Sequence, residues 1–208
     1  LPLPDLGDEG RALYRELAGL MARLHALPPT LLPAARRPAV DADPLAWLMR
    51  RIDDWERDWI SATRERVPTV TAAFHWLRRH AARFCDHQSI VHGDMDQRNL
   101  LCRDGHIIAV IDWEVAHQGH PAEDLAYVRA QVETMMPWTE FAALYEAQGG
   151  ATFSPFEMRY ATVLCNMLRV TTSMAAYPAH LDGALDNMLI GTVRHNETER
   201  ACQALHDA

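Results

Sequence analysis

Two carboxylates and one amide near the middle of the chain have the residue types and spacing to carry out a reaction together. Asn99 follows Asp94 by five residues, and Asp112 follows Asn99 by thirteen. A carboxylate such as Asp94 can accept the proton of a hydroxyl nucleophile. The amide oxygen of Asn99 and the carboxylate of Asp112 are hard oxygen ligands, which Mg²⁺ prefers. One base and two metal ligands meet the needs of phosphoryl transfer, in which the nucleophile is positioned and charge is neutralised.

Short apolar segments flank these polar residues and are expected to hold them still. Ser89–Val91 is short and β-prone. The apolar runs Leu100–Cys102 and Ile107–Ile111 are separated by the turn dipeptide Asp104-Gly105, which predicts a β-hairpin. Because such strands fix the backbone, polar residues at their ends can be held in place. The sequence therefore predicts that residues 89–114 form the catalytic and metal-binding loops.

The segment around Asp94 resembles the catalytic loop of kinase-like enzymes. His92-x-Asp94-x-x-x-x-Asn99 has the spacing of the protein-kinase catalytic loop, with Gly93 where protein kinases carry arginine. A glycine at that position is similar to the aminoglycoside phosphotransferase and choline kinase branch. The resemblance implies a protein-kinase-like C-terminal lobe.

Three further segments extend this resemblance. Asp112-Trp113-Glu114 takes the place of the kinase Asp-Phe-Gly motif, and its form looks similar to the phosphotransferases related to the kinase-like domains fused to acyl-CoA dehydrogenases. Residues 119–126 are also similar to the family. Residues 20–27 resemble the helix that opens the family's C-terminal lobe. The resemblance covers the chain from about residue 11 to the mid-130s.

The resemblance implies a role for each matching residue. Asp94 would be the catalytic base, and Asn99 and Asp112 would hold Mg²⁺ beside ATP. His92 would brace the loop, and Asp124 would be a buried or capping carboxylate. The implied acceptor is a small hydroxylated molecule.

Some residues depart from the family pattern. Asp96-Gln97-Arg98 stands where relatives usually have His-Pro-Gly or a similar triplet. Arg98 could contact a phosphate or point to solvent, and we favour solvent. His120 occupies a position where many relatives have aspartate before the proline, which puts a polar network there in doubt.

The chain contains no lysine, because all 20 of its basic residues are arginine. In the family, a small N-terminal β lobe supplies the lysine that contacts the ATP phosphates. Arginine is a poor replacement, since its planar fork presents charge differently from a compact ammonium group. We therefore expect the chain to be a fragment that is inactive alone, with the N-terminal lobe encoded upstream. A lobe without its partner could also self-associate through an exposed apolar seam.

Composition narrows the class of protein. The net charge of −8 argues against a general nucleic-acid binder. No apolar run approaches bilayer length, and the first residues lack a signal-peptide pattern. The four cysteines are widely spaced and match no zinc or redox motif. We expect a cytoplasmic protein with no nucleic-acid or membrane partner.

The rest of the chain shows mainly helical periodicity. The predicted fold class is mainly α with a small β-hairpin insert, arranged as a single kinase-like lobe over residues 1–208. Asp43 before Pro44, and Ser154 three residues before Glu157, predict helix starts. A tryptophan stripe, Trp47, Trp55 and Trp59, is assigned to core packing rather than to an aromatic cage. The predicted segments are a first helix at 8–27, a loop at 28–42, helices within 43–88, the loops at 89–114, and C-terminal helices within 121–208 with a last helix from Leu181.

Three functions are compatible with these residues. The first is an ATP- and Mg²⁺-dependent small-molecule phosphotransferase. The second is a non-catalytic kinase-like binding module, which the missing lysine and the altered stretch Asp96–Arg98 favour. The third is a hydrolase or metal-dependent lyase that uses the same carboxylates, and it ranks last because no nucleophile elbow is present.

Overall fold

The computed structural model describes residues 7–38, 43–62, 67–181 and 203, and most of these residues are helical. The helices are α1 (Gly7–His25), α2 (Pro44–Ala62), α3 (Pro68–His80), α4 (Ala122–Met135), α5 (Trp138–Ala147) and α6 (Pro155–Leu181). The strands are β1 (Ser89–Val91), β2 (Leu100–Arg103), β3 (His106–Val110) and β4 (His117–Gly119). This order confirms the predicted fold class, a mainly α chain with a small β insert.

The chain divides into two units, each with its own packing. The first unit comprises Leu1–Ala39 and His87–Ser154, and the second comprises Val40–Asp86 and Pro155–Ala208. Every residue that the sequence singled out as a base, ligand or support of the site lies in the first unit.

Helix α1 organises the first unit. It packs against α4, α5, β1 and β3. Its apolar face includes Leu17, Met21 and Leu24, which recur at three- and four-residue steps and are buried. The helix ends at His25, two residues before the predicted end, and the chain continues into a short 3₁₀ turn at Pro29–Leu31. A proline cannot extend an α-helix at that point, because it lacks the N–H that the helix bonds need.

Two antiparallel pairs of strands carry the loops between α3 and α4. The predicted hairpin is confirmed as β2 paired with β3. Its turn residues Asp104 and Gly105 have φ values of 51° and 77°, as a two-residue type I′ turn requires. The second pair joins β1 to β4, with Ile90 opposite Gln118. Strand β4 was not predicted, since His117–Gly119 lacks β-branched and aromatic residues.

Helices α2, α3 and α6 pack together in the second unit. The assignment of the tryptophans to the core holds for Trp59, which is buried. Trp47 and Trp55 are half-buried, and the guanidinium groups of Arg50 and Arg51 lie over their rings. These two tryptophans therefore combine packing with cation–π contacts.

The predicted helix starts agree with the structure. Helix α2 begins at Pro44, and the Asp43 carboxylate accepts a hydrogen bond from the Leu45 N–H at 3.0 Å. Helix α6 begins at Pro155, directly after Ser154. The predicted last helix lies outside the described residues. None of the helices in the described part of the chain is long and apolar enough to cross a membrane.

Candidate active site

The carboxylate of Asp94 is held at both of its oxygens. The Asn99 side-chain amide donates to Oδ2 at 2.9 Å and to the Asp94 main-chain oxygen at 2.9 Å. The Tyr127 hydroxyl donates to Oδ1. Asp94 is half-buried, so it keeps access to a small molecule while its orientation is fixed by two neighbours.

Asn99 is buried and connects the loop to the hairpin. Because its Nδ2 faces Asp94, its Oδ1 faces the other way and is available as an oxygen ligand. The Ile111 N–H donates to the Asn99 main-chain oxygen at 2.9 Å. That bond brings Asn99 next to the residue that immediately precedes Asp112.

Asp112 adopts a left-handed backbone conformation, with φ 67° and ψ 57°. Aspartate is among the few residue types that adopt this region readily. Its side chain is exposed and has no hydrogen-bond partner among the described residues. A solvent-facing carboxylate one residue after Ile111, which bonds to the Asn99 main chain, and the Asn99 amide oxygen are donor types that fit Mg²⁺.

His92 links the loop of Asp94 to the segment before Asp112. Its ring is fully buried and accepts a hydrogen bond at Nδ1 from the Asp94 N–H, at 3.3 Å. The proton must therefore be on Nε2, which donates to the Ile111 carbonyl at 3.0 Å. The ring also meets Trp113 edge-on, with centroids 4.6 Å apart. This tautomer lets one side chain tie both halves of the candidate site together.

Asp124 fixes the backbone of the loop from the first turn of α4. Its fully buried carboxylate accepts hydrogen bonds from the N–H groups of His92 and Gly93, both at 2.8 Å. The His25 ring contacts the same carboxylate through Nε2 at 3.2 Å. The buried charge is thus compensated by three donors, as a buried carboxylate requires.

Tyr145 on α5 completes this buried chain of hydrogen bonds. Its hydroxyl lies 2.8 Å from His25 Nδ1. Burial, together with the nearby Asp124 carboxylate, raises the pKa of Tyr145 well above its ordinary value, so the phenol keeps its proton. The phenol can then donate to Nδ1 while Nε2–H donates to Asp124. The loop is consequently connected to α1, α4 and α5.

Gly93 cannot be replaced without strain. Its φ is 82°, and a Cβ atom built there would lie 3.0 Å from the Val115 carbonyl oxygen. Glycine is the residue that adopts this conformation without a steric cost. The glycine that the sequence places before Asp94 is thus required by the geometry of the loop.

Two residues of the altered stretch between Asp94 and Asn99, Asp96 and Arg98, pair with each other. The Arg98 guanidinium donates to Asp96 through Nε at 2.8 Å and through Nη2 at 3.2 Å. Gln131 on α4 donates to the same carboxylate at 2.8 Å. The Arg98 side chain nevertheless remains 76% exposed. Sequence reasoning treated Arg98 alone and missed its partner Asp96.

These contacts govern the ionisation of Asp96. Burial of the carboxyl would raise its pKa, but the hydrogen bonds and charge of Arg98, with Gln131, outweigh burial and hold the pKa of Asp96 below its ordinary value. The Asp96 carboxylate in turn raises the pKa of Arg98, and the nearby Asp94 and Tyr127 add to this effect.

The lowered pKa of Asp96 predicts how stability depends on pH. The contribution of the Asp96 carboxylate to the free energy of unfolding should be fully present above its unfolded-state pKa of about 4. It should be lost as the pH falls through the lower folded-state value. We expect the difference in unfolding free energy between the parent and Asp96→Asn to be constant from pH 7 to about pH 5, and to narrow below about pH 4. Urea unfolding at a series of pH values measures this difference, and a gap that widens in acid would contradict the prediction.

The polar network near His120 is closed by a neighbouring residue. The buried Glu123 carboxylate accepts from the His120 N–H at 3.0 Å and contacts His117 Nε2 at 3.1 Å. A Cβ atom at Gly119 would lie 2.5 Å from Glu123, so this glycine makes room for the carboxylate. Glu123, in the first turn of α4, therefore also organises the end of β4.

The fold and the arrangement of this site define a class of protein, the kinase-like phosphotransferases. Residues 3–160 match the model of the phosphotransferase enzyme family (APH), and the chain therefore belongs to that family.

Parts of curated proteins and several solved structures are also similar to this chain. Acyl-CoA dehydrogenase family member 11 of Gallus gallus is 30% identical over 80 residues, which is 38% of this chain and 10% of that protein. A protein from Ralstonia eutropha described as a candidate aminoglycoside phosphotransferase has a TM-score of 0.77 and 19% identity, covering 97% of this chain and 66% of that one. A mutant of the aminoglycoside phosphotransferase APH(4)-Ia, in complex with AMP-PNP and hygromycin B, has a TM-score of 0.68 and 19% identity, covering 97% and 67%. The chain thus spans a small part of its curated relative and about two thirds of these solved structures.

Proposed function

We propose that this chain is the catalytic lobe of an ATP- and Mg²⁺-dependent kinase that phosphorylates a hydroxyl group of a small molecule. The observation that carries the proposal is the Asp94 carboxylate held by Asn99 and Tyr127, with the exposed carboxylate of Asp112 one residue after Ile111, which bonds to the Asn99 main chain. The similar aminoglycoside phosphotransferase binds AMP-PNP, an ATP analogue, together with hygromycin B.

Each side chain of the site has a role in this proposal. Asp94 accepts the proton of the acceptor hydroxyl, because it is half-buried, oriented and able to reach a bound molecule. Asn99 and Asp112 would hold Mg²⁺, which supplies charge neutralisation on the phosphate oxygens when bound. His92 and Asp124 keep the loop in place, so little reorganisation is needed when the substrates arrive.

The hairpin offers a surface that suits the base of a nucleotide. Leu101 pairs with Ala109 in the hairpin, and Ile111 follows directly after β3. Leu101 and Ile111 are 44% and 41% exposed, which is high for large apolar side chains. A flat apolar group would cover the Leu101 and Ile111 side chains, and a purine has that shape.

Arg98 is proposed to contact a phosphate of the donor. Its guanidinium is oriented by Asp96, and its charge interacts with that of Asp94. The remaining N–H groups of the Arg98 guanidinium face solvent, where a phosphate oxygen could accept hydrogen bonds from them. Because the chain has no lysine, we also propose that the lysine of the family comes from a polypeptide segment outside these 208 residues.

Removal of the Asp112 charge should weaken binding of Mg-ATP. We expect Asp112→Asn to lower the affinity about 10- to 100-fold, since it removes a direct carboxylate ligand. Isothermal titration of Mg-ATP into the 208-residue chain measures the change. Asp104→Asn is the matched control, because Asp104 is also exposed and also has a positive φ, of 51°, but lies in the hairpin turn. Equal affinity of the parent and Asp112→Asn would contradict the proposed role of Asp112.

The lysine-free composition favours a second candidate function, a non-catalytic kinase-like binding module. The two candidates differ in what they require of Asp94. A kinase loses its activity with Asp94→Asn, whereas a binding module keeps its partner and shows no transfer of phosphate from ATP to any hydroxylated compound.

A further inference from the structure

One face of helix α4 contacts the candidate catalytic loop at regular intervals. Asp124, Tyr127 and Gln131 are three and four residues apart, so they lie on the same side of the helix. Asp124 binds the N–H groups of His92 and Gly93. One turn later, Tyr127 binds the side chain of Asp94, and after another turn Gln131 binds Asp96 and the Gln97 N–H. Successive turns of the helix therefore hold successive residues of the loop.

We propose that Tyr127 is a positioning residue, whose hydroxyl holds the Asp94 carboxylate in the orientation that receives the proton of the acceptor. This inference rests on the proposed function of Asp94 as a base. Tyr127 is the member of the helix face that contacts the carboxylate itself, while Asp124 and Gln131 contact its neighbours in the loop.

The hydrogen-bonding capacity of the carboxylate supports this role. An ionised carboxylate has about four acceptor positions on its two oxygens. Asn99 occupies one position on Oδ2, and Tyr127 occupies one on Oδ1. Positions therefore remain for the acceptor hydroxyl, while the two donors prevent rotation of the group. Without Tyr127, Asp94 would be held from one side only, by a residue that is also proposed to bind the metal.

The proton balance of the reaction gives Tyr127 a positioning role rather than a catalytic one. As the acceptor oxygen forms its bond to the γ-phosphorus, the bond from that phosphorus to the leaving ADP oxygen breaks. The proton of the acceptor hydroxyl moves to Asp94. Tyr127 keeps its own proton throughout and acts by orienting the carboxylate that it contacts.

The hydrogen bond can be tested without turnover. In protein labelled with [¹³Cζ]tyrosine, five tyrosine signals are expected, and Tyr127→Phe identifies the one from Tyr127. Asp94→Asn should shift that signal, because the carboxylate that accepts the hydrogen bond of this phenol is replaced by an amide. Asp112→Asn is the matched control and should leave the signal in place. A Tyr127 signal that ignores Asp94→Asn would overturn the inference.

The consequence for catalysis is tested by a double-mutant cycle. Tyr127→Phe should lower kcat about 10- to 100-fold and leave KM for ATP unchanged. In the Asp94→Asn background the same change should have no further effect on kcat. A merely structural role would instead multiply the two reductions in kcat, and that result would overturn the inference.

Tyr14→Phe is the control, since the Tyr14 hydroxyl is buried and has no hydrogen-bond partner among the described residues. Inactivity of a protein that includes the segment proposed to supply the lysine would count against the proposed function, whereas the tyrosine signal decides the role of Tyr127 independently.

Discussion

Asp94→Asn is expected to lower kcat for phosphoryl transfer about 10²- to 10⁴-fold, the usual contribution of a general base. An asparagine has the same shape, but its amide cannot accept the proton of the acceptor hydroxyl. It also presents an NH₂ group to one of the two donors that now hold the carboxylate, Asn99 and Tyr127. The measurement is the rate of ADP release in the presence of a hydroxylated acceptor that the parent protein phosphorylates.

Binding should separate this effect from a loss of structure. Asp94→Asn should retain Mg-ATP binding, because the proposed ligands Asn99 and Asp112 are unchanged. Asp104→Asn makes the same chemical change in an exposed turn and should keep the parent rate. A kcat for Asp94→Asn close to that of the parent would exclude Asp94 as the base.

Asp124→Asn is expected to lower the free energy of unfolding by about 3–5 kcal/mol, as is typical when one partner of a buried charged network is removed. The carboxylate is fully buried and accepts from the N–H groups of His92 and Gly93. An asparagine has a single acceptor oxygen, so one buried N–H would face an amide NH₂ group. The contact with His25 would also change, because its Nε2 lies against the same carboxylate.

Equilibrium unfolding in urea measures the effect of Asp124→Asn. Glu133→Gln is a matched control on the same helix, where an exposed carboxylate pairs with Arg129 at 2.9 Å. A surface pair of this kind contributes at most about 1 kcal/mol. If the two variants lost the same free energy of unfolding, the buried Asp124 would stabilise the protein no more than an exposed carboxylate does, and the prediction would be wrong.

The parts of the structure that follow from local sequence were predicted well. The stripe of Leu17, Met21 and Leu24 predicts α1, and Asp104-Gly105 predicts the hairpin. Both signals depend on residues close together in the chain, where periodicity and turn preferences operate. Asp94 and Asn99 could be proposed as site residues for the same reason, since they belong to one short motif.

The contacts that complete the site depend on residues distant in sequence, and local patterns do not contain them. Tyr127 is 33 residues from Asp94, and Tyr145 is 120 residues from His25. Their roles follow from the packing of α4 and α5 against the loop and α1. A signal was present in α4, where polar residues repeat at three- and four-residue steps along a helix whose start is buried. Read as a contact face, that repeat predicts that Asp124, Tyr127 and Gln131 act together.

The buried carboxylate of Asp124 also determines when the site can form during synthesis. The N–H groups of His92 and Gly93 leave the ribosome 32 and 31 residues ahead of the group that binds them. At about 5–20 residues per second, this interval is roughly 2–6 s. During that time these two N–H groups lack the Asp124 carboxylate that accepts from them in the folded protein. His25 lacks its own partners for longer, because Asp124 and Tyr145 are both synthesised after the loop. A chain released before α4 would carry the complete motif from His92 to Asn99 without the means to fold it.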